Sequence, residues 1–175
     1  KGVTVMRATI ADPGWLDCSC CHLSVLVKNT TTVDDSHLVP LTKSINGAFS
    51  RGRLISGMVP EDVLEYARVS HIYDVMRPKQ GSDMGRIMGF PEQYDTTTQT
   101  HEVIPIRDGK SKRVWHKPCF GLMYQDKWIP TNYAPLTFEF TLGEADSWLD
   151  TGATANGAGE LVDHSTTWEL HECFL

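Results

Sequence analysis

The sequence predicts an all-β fold, an antiparallel jelly-roll β-sandwich with one inserted helix at about residues 61–76, and three observations predict it. Leu136 to Leu142 alternates strictly: Leu136, Phe138, Phe140 and Leu142 are apolar, and Thr137, Glu139 and Thr141 are polar. That is the period of a strand with one buried face. Further short runs recur along the chain between turn-rich segments, the spacing of a sandwich. One stretch only carries helical spacing.

In chain order, Thr4 to Ile10 is the first strand candidate, and His22 to Lys28 follows with Leu23, Val25 and Val27 on one face. Phe49 to Ser56 is the next. Pro60 then suits a first helical turn, Glu61 and Asp62 suit the positive end of the helix dipole, and Pro78 stops propagation. Val69, Ile72, Tyr73 and Met76 form an apolar stripe expected to pack on a sheet edge. Val103 to Ile106 and Pro118 to Tyr124 are shorter strand candidates. Thr166 to Leu170 places Trp168 and Leu170 opposite Thr167 and Glu169. Asn29 to Ser36, Pro78 to Gly89 and Asp150 to Gly159 read as turns, and the small residues of Thr151 to Glu160 as an exposed loop.

A length of 175 residues supports one domain, Lys1 to Leu175, and 41% hydrophobic content is too apolar for a disordered chain. No apolar run approaches the roughly 20 residues of a membrane helix, and KGVTVMRATI lacks the apolar core of a signal peptide. The expectation is a soluble, unsecreted protein with no membrane span. The Lys1 start and the apolar ending ECFL suggest a piece of a longer polypeptide.

The net charge of −6 is unevenly distributed, and from Trp128 onward there is no Lys or Arg. Nucleic-acid binding draws on such cations, so no direct nucleic-acid partner is expected. Arg107 to Lys117 is the one basic cluster. With Asp108-Gly109 at its head it reads as a solvated hairpin loop rather than a stacking platform around Trp115. The five cysteines, three of them crowded at Cys18, Cys20 and Cys21, do not make a secreted disulfide framework, so free thiols are expected. On a strand Cys18, Cys20 and His22 would share a face, but no fourth ligand or metal spacing accompanies them, and no metal residue is assigned.

The sharpest catalytic string is Asp150-Thr151-Gly152, which resembles the active-site loop of aspartic proteases. There the Asp shares a proton with a second Asp. Only 23 residues follow Gly152, too few for the flap and closing strands, and no second Asp-Thr-Gly or Asp-Ser-Gly occurs. Dinucleotide, phosphate-loop, nucleophile-elbow and HExxH motifs do not occur either, so no catalytic residue and no cofactor is assigned. The Asn29-Thr30-Thr31 sequon carries little weight in a chain read as unsecreted.

Several segments in collinear order resemble the N-terminal jelly roll of the double-jelly-roll major capsid proteins of Polinton-like and adintovirus-like eukaryotic double-stranded DNA viruses. They are Ala11 to Asn29, Leu38 to Phe49, FSRGRLISGMVPEDVLEYARVSHIYDVM from Phe49 to Met76, KPCFGLMYQDKWIPTNYAPLTFEFTL from Lys117 to Leu142, and TTWELHECFL from Thr166 to Leu175. Pro60 in the Gly turn, the Asp-Thr-Gly loop and the lack of a second jelly roll depart from that pattern. The resemblance implies a structural virion protein. Its jelly roll, part of a longer two-jelly-roll chain, would form pseudo-hexagonal homotrimers that meet neighbouring capsid proteins and tile an icosahedral shell inside the host cell. Trp115, Tyr124, Trp128 and Tyr133, near loop ends, are candidate subunit contacts, with half or more of them expected in the core. The alternatives are a jelly-roll ligand- or glycan-binding domain and an aspartic protease fragment using Asp150.

Overall fold

The computed structural model describes residues 4–41, 44–57, 59–76, 89–96, 99–155 and 158–174. It is an antiparallel β structure with one α-helix. A four-stranded sheet has the order β1 (Val5–Ile10), β10 (Leu136–Leu142), β4 (Phe49–Ser56), β5 (Val59–Leu64). A three-stranded sheet places β3 (Leu23–Asn29) between β13 (Trp168–Phe174) and β8 (Ser111–His116). Three ribbons complete it: β2 (Trp15–Asp17) with β9 (Trp128–Pro130), β6 (Glu92–Asp95) with β7 (Thr100–Val103), and β11 (Ala153–Ala155) with β12 (Leu161–Asp163).

The alternation in β10 decides how the larger sheet faces the core. Leu136, Phe138 and Phe140 are buried, and they pair across the sheet with Ile10, Ala8 and Met6 on one side and with Ser56, Leu54 and Gly52 on the other. Leu23, Val25 and Val27 do the same for β3, opposite His116, Val114 and Lys112. The two sheets meet face to face where His116 of β8 lies edge-on to Phe140 of β10, ring centroids 6.1 Å apart, and 5.5 Å from Phe49. The opposite face of the larger sheet is polar. Arg7, Glu139, Arg53 and Asp62 are successive cross-strand neighbours, and Glu139 accepts from Arg7 Nε at 3.1 Å and from Arg53 Nη1 at 3.3 Å. Such partly exposed pairs add little stability each, but opposite charges placed directly across the strands favour this pairing over one that sets like charges together.

The helix differs from its expected bounds. It is α1, Tyr66–Met76, and Val59–Leu64 is strand β5, turned back on β4 at Gly57 with φ +61°. Glu61 and Asp62 therefore do not serve a helix dipole: Asp62 accepts from Arg51 Nε at 2.8 Å, and Glu61 accepts the Gly121 N–H at 2.7 Å. Glu65, at φ +54°, makes the corner, and its carbonyl accepts the N–H groups of Arg68 at 2.9 Å and Val69 at 3.2 Å. The buried stripe also differs. Tyr66 and Ser70 are buried and Val69 packs against the core, whereas Ile72, Tyr73 and Met76 are exposed.

Tyr66 anchors the helix. Its ring meets Phe49, Phe120 and Phe140, and its hydroxyl accepts the Cys119 N–H at 2.7 Å. Gly52 is what lets it sit there, because a Cβ at that position would lie 2.4 Å from Tyr66 Cδ2.

Other expectations shift as well. Residues 111–116 of the basic cluster form β8 rather than a loop, because Val114 and His116 are drawn into the core. Pro118 to Tyr124 is not a strand: Gly121–Tyr124 is a 3-10 turn burying Met123. Of Val103 to Ile106, Val103 ends β7 and Ile106 makes an isolated bridge to Leu38. The Thr151 to Glu160 loop contains β11. The expected turn at Pro78 to Gly89 lies outside the described residues up to position 88. Among the described residues no helix is long and apolar enough to cross a membrane.

Candidate functional site

The most exposed aromatic surface sits on the β2–β9 ribbon. Trp15 pairs with Pro130, Leu16 with Ile129 and Asp17 with Trp128. Opposed residues share a face, so Leu16 and Ile129 turn inward against the core while Trp15 and Trp128 project from the other side as diagonal neighbours. Trp15 is 68% exposed and Trp128 64%. The chain then turns, with the Tyr133 N–H bonded to the Pro130 carbonyl at 3.0 Å, and presents Tyr133 at 85% exposure. Thr131 fixes the ribbon end by donating to the Asp12 and Gly14 carbonyls.

Of the aromatic contacts expected from sequence, Trp115, Tyr124, Trp128 and Tyr133 are all exposed, so the expectation that half or more of them lie in the core is not met. Tyr124 stacks on Tyr73 of the helix at 5.8 Å, and the Lys117 ammonium lies 4.9 Å from the Tyr124 ring while donating to the Ser19 carbonyl at 2.8 Å. Trp15 carries no pattern in the sequence that separates it from a core tryptophan, and its position beside Asp12, Pro13 and Gly14, at the edge of a turn, is the one signal of its exposure.

The cysteine segment is not a strand. Cys18–Cys20 is a 3-10 turn capped by Asp17, whose carboxylate accepts the Ser19 N–H at 2.9 Å. This turn buries Cys18 and exposes Cys20, so the expected shared face of Cys18, Cys20 and His22 does not form. Hydrogen bonds from the Ser19 side chain, then its backbone, hold the Asp17 carboxyl below the usual range, and burial pushes the Cys18 thiol up to about 11. Among the described residues no group of three or more His, Cys, Asp or Glu is arranged to hold a metal ion.

Asp150-Thr151-Gly152 closes on itself. Asp150 Oδ1 accepts the Gly152 N–H at 3.0 Å, the geometry of an Asx turn. Its Oδ2 lies 3.2 Å from His164 Nδ1, within ion-pair range but without the alignment of a hydrogen bond. His164 Nε2 bonds Thr154 Oγ1 at 2.6 Å, and the His164 N–H donates to the Gly152 carbonyl at 2.8 Å. One histidine and one backbone N–H thus contact the carboxylate, which is otherwise half-exposed, and the imidazole links Thr154 of β11 to the residue that follows β12.

Asn29, the sequon residue, has no exposed surface at all. Its amide donates to the Ser36 and Ile106 carbonyls, and its oxygen accepts from Ser165 Oγ and the Thr31 N–H. In the folded chain it clasps three segments rather than offering an acceptor for a glycan.

A pocket of about 220 Å³ lies between the helix and the turns at Ser44–Gly47 and Ser147–Trp148. Arg68, Ser70 and His71 form its helical wall. No protein-family model, curated protein or solved structure matches the chain.

Proposed function

We propose that this chain is a structural subunit of an icosahedral viral capsid, one jelly roll of a double-jelly-roll protein that forms trimers and tiles a shell with its neighbours. The observation that carries this reading is the exposed Trp15, Trp128 and Tyr133 surface on a short ribbon braced against the sandwich. Large aromatic side chains left in water on a rigid framework are characteristic of surfaces that become buried against another protein. The collinear resemblance to the capsid family, the antiparallel sandwich and the dearth of cations from Trp128 onward support the same role, tiling by protein contacts rather than genome binding.

Ligand binding receives less support. The pocket beside the helix, at about 220 Å³, falls below the roughly 300–1,000 Å³ of ordinary small-molecule sites. The protease reading would need a second carboxylate on Asp150, and the groups that contact it are His164 and the Gly152 N–H.

Light scattering and electron microscopy of the full expressed polypeptide test the proposal. Trimers or closed shells are the expected outcome, and a product that stays monomeric at every concentration would overturn it.

A further inference from the structure

Building on the reading of the chain as a self-assembling subunit, we infer that the aromatic face of the β2–β9 ribbon receives the basic turn Arg107–Lys110, with Lys112 at the start of β8, of a second copy, in a head-to-tail contact. Two features placed at opposite ends of the same strand lead to this. The ribbon joins the Leu23 end of β3 through the 3-10 turn Cys18–Cys20. The basic turn lies at the other end, where the Asn29 N–H bonds the Lys110 carbonyl at 3.0 Å. The seven residues of β3 set the ends roughly 20 Å apart. One chain cannot bring its own turn to its own ribbon across that distance, but a neighbouring copy can.

The chemistry of the two surfaces is complementary. The turn is tight: the Arg107 carbonyl accepts the Lys110 N–H at 3.1 Å and Gly109 adopts φ +63°, so Arg107 and Lys110 project from a fixed turn, Lys112 stands at the start of β8, and all three are exposed. The ribbon offers the faces of Trp15 and Trp128, and the turn after it that of Tyr133, the ring types that bind cations best. In the flanking chain Asp12, Asp17 and Asp126 stand against Lys127 and against Lys117, whose ammonium is held at the Ser19 carbonyl beside Asp17. A cation–π contact with carboxylates at its rim favours Lys and Arg over a neutral apolar occupant. Because the two patches differ, the contact is heterologous, the kind that closes into a ring when the rotation between copies permits. A trimer is such a ring.

Sedimentation velocity on the full chain tests this with two double variants, one carrying Trp15→Ser and Trp128→Ser, the other Lys110→Glu and Lys112→Glu. The substituted side chains are exposed, so circular dichroism and thermal midpoints should match the parent. Each variant should self-associate roughly tenfold more weakly or worse, and parental association should fall as salt rises. An equimolar mixture of the two variants should recover hetero-complexes, since one supplies an intact turn and the other an intact face. If both variants assemble like the parent, or the mixture recovers nothing, this contact is refuted while the shell reading stands. A parent that never associates removes the shell reading itself.

Discussion

His116 sets a limit on how much acid this fold tolerates. It is 5% exposed between Phe49 and Phe140, and neither ring nitrogen has a hydrogen-bond partner among the described residues. Burial, with a small addition from His22, lowers its value from 6.5 to about 3. The unfolded chain therefore takes up a proton near the ordinary value while the folded core refuses it. The stability held by the neutral ring is complete above about 6.5 and is lost progressively as pH falls towards about 3. At a little over 1 kcal/mol per pH unit, acidifying from neutral to about pH 4.5 should remove about 3 kcal/mol.

Urea unfolding followed by tryptophan fluorescence at both pH values, on the parent and on His116→Leu, measures this directly. Leucine has similar bulk and no nitrogen to leave unpaired, so the variant should match or exceed the parent at neutral pH and lose about 3 kcal/mol less on acidification. The carboxylates do not confuse the window. Glu139, lowered first by its hydrogen bond from Arg7, and Asp62, lowered first by that from Arg51, keep their contributions above 4.5 and 3.8 and surrender them only at lower pH. If His116→Leu loses as much stability as the parent between the two pH values, the account of the buried ring is wrong.

Two further substitutions probe how the fold is pinned. Tyr66→Phe keeps the ring among Phe49, Phe120 and Phe140 but leaves the buried Cys119 N–H without its acceptor, which should cost about 1–3 kcal/mol in a denaturant titration; an unchanged midpoint would mean the hydroxyl bond contributes nothing. Asn29→Ala strips partners from Ser36, Ile106, Ser165 and Thr31 together and should cost more than about 3 kcal/mol, read as a fall in thermal midpoint, whereas Thr30→Ala should change it little.

How much of this could be read without coordinates depended on the length of each pattern. Leu136–Leu142 and Leu23–Asn29 were legible to within one residue because a sustained period of two has few competing explanations, whereas Phe49–Ser56 and Val5–Ile10 do not alternate and were legible only as short runs between turns. The three-residue strands of the β2–β9 and β11–β12 ribbons carry too little pattern to register. Glu61 and Asp62 illustrate a real ambiguity: acidic residues after a proline suit a helix start equally well, and only long-range partners, the arginines of β4 for Asp62 and the Gly121 N–H for Glu61, decide for a strand. The aromatic surface was half legible. Trp128 and Tyr133 stood out near loop ends, but an aromatic residue in a sequence looks the same whether it fills a core or faces water.

The sequence by itself determined an antiparallel β chain with a single helix and acidic later strands, since alternation, turn residues and charge are local properties of the chain. Tertiary structure decided which alternating face was buried, why a sequon asparagine became an internal clasp, and how a histidine came to sit unpaired among phenylalanines. It also decided that Trp15 and Trp128, 113 positions apart, stand together in water. Those outcomes depend on which segments meet, and long-range pairing has no counterpart in local residue order.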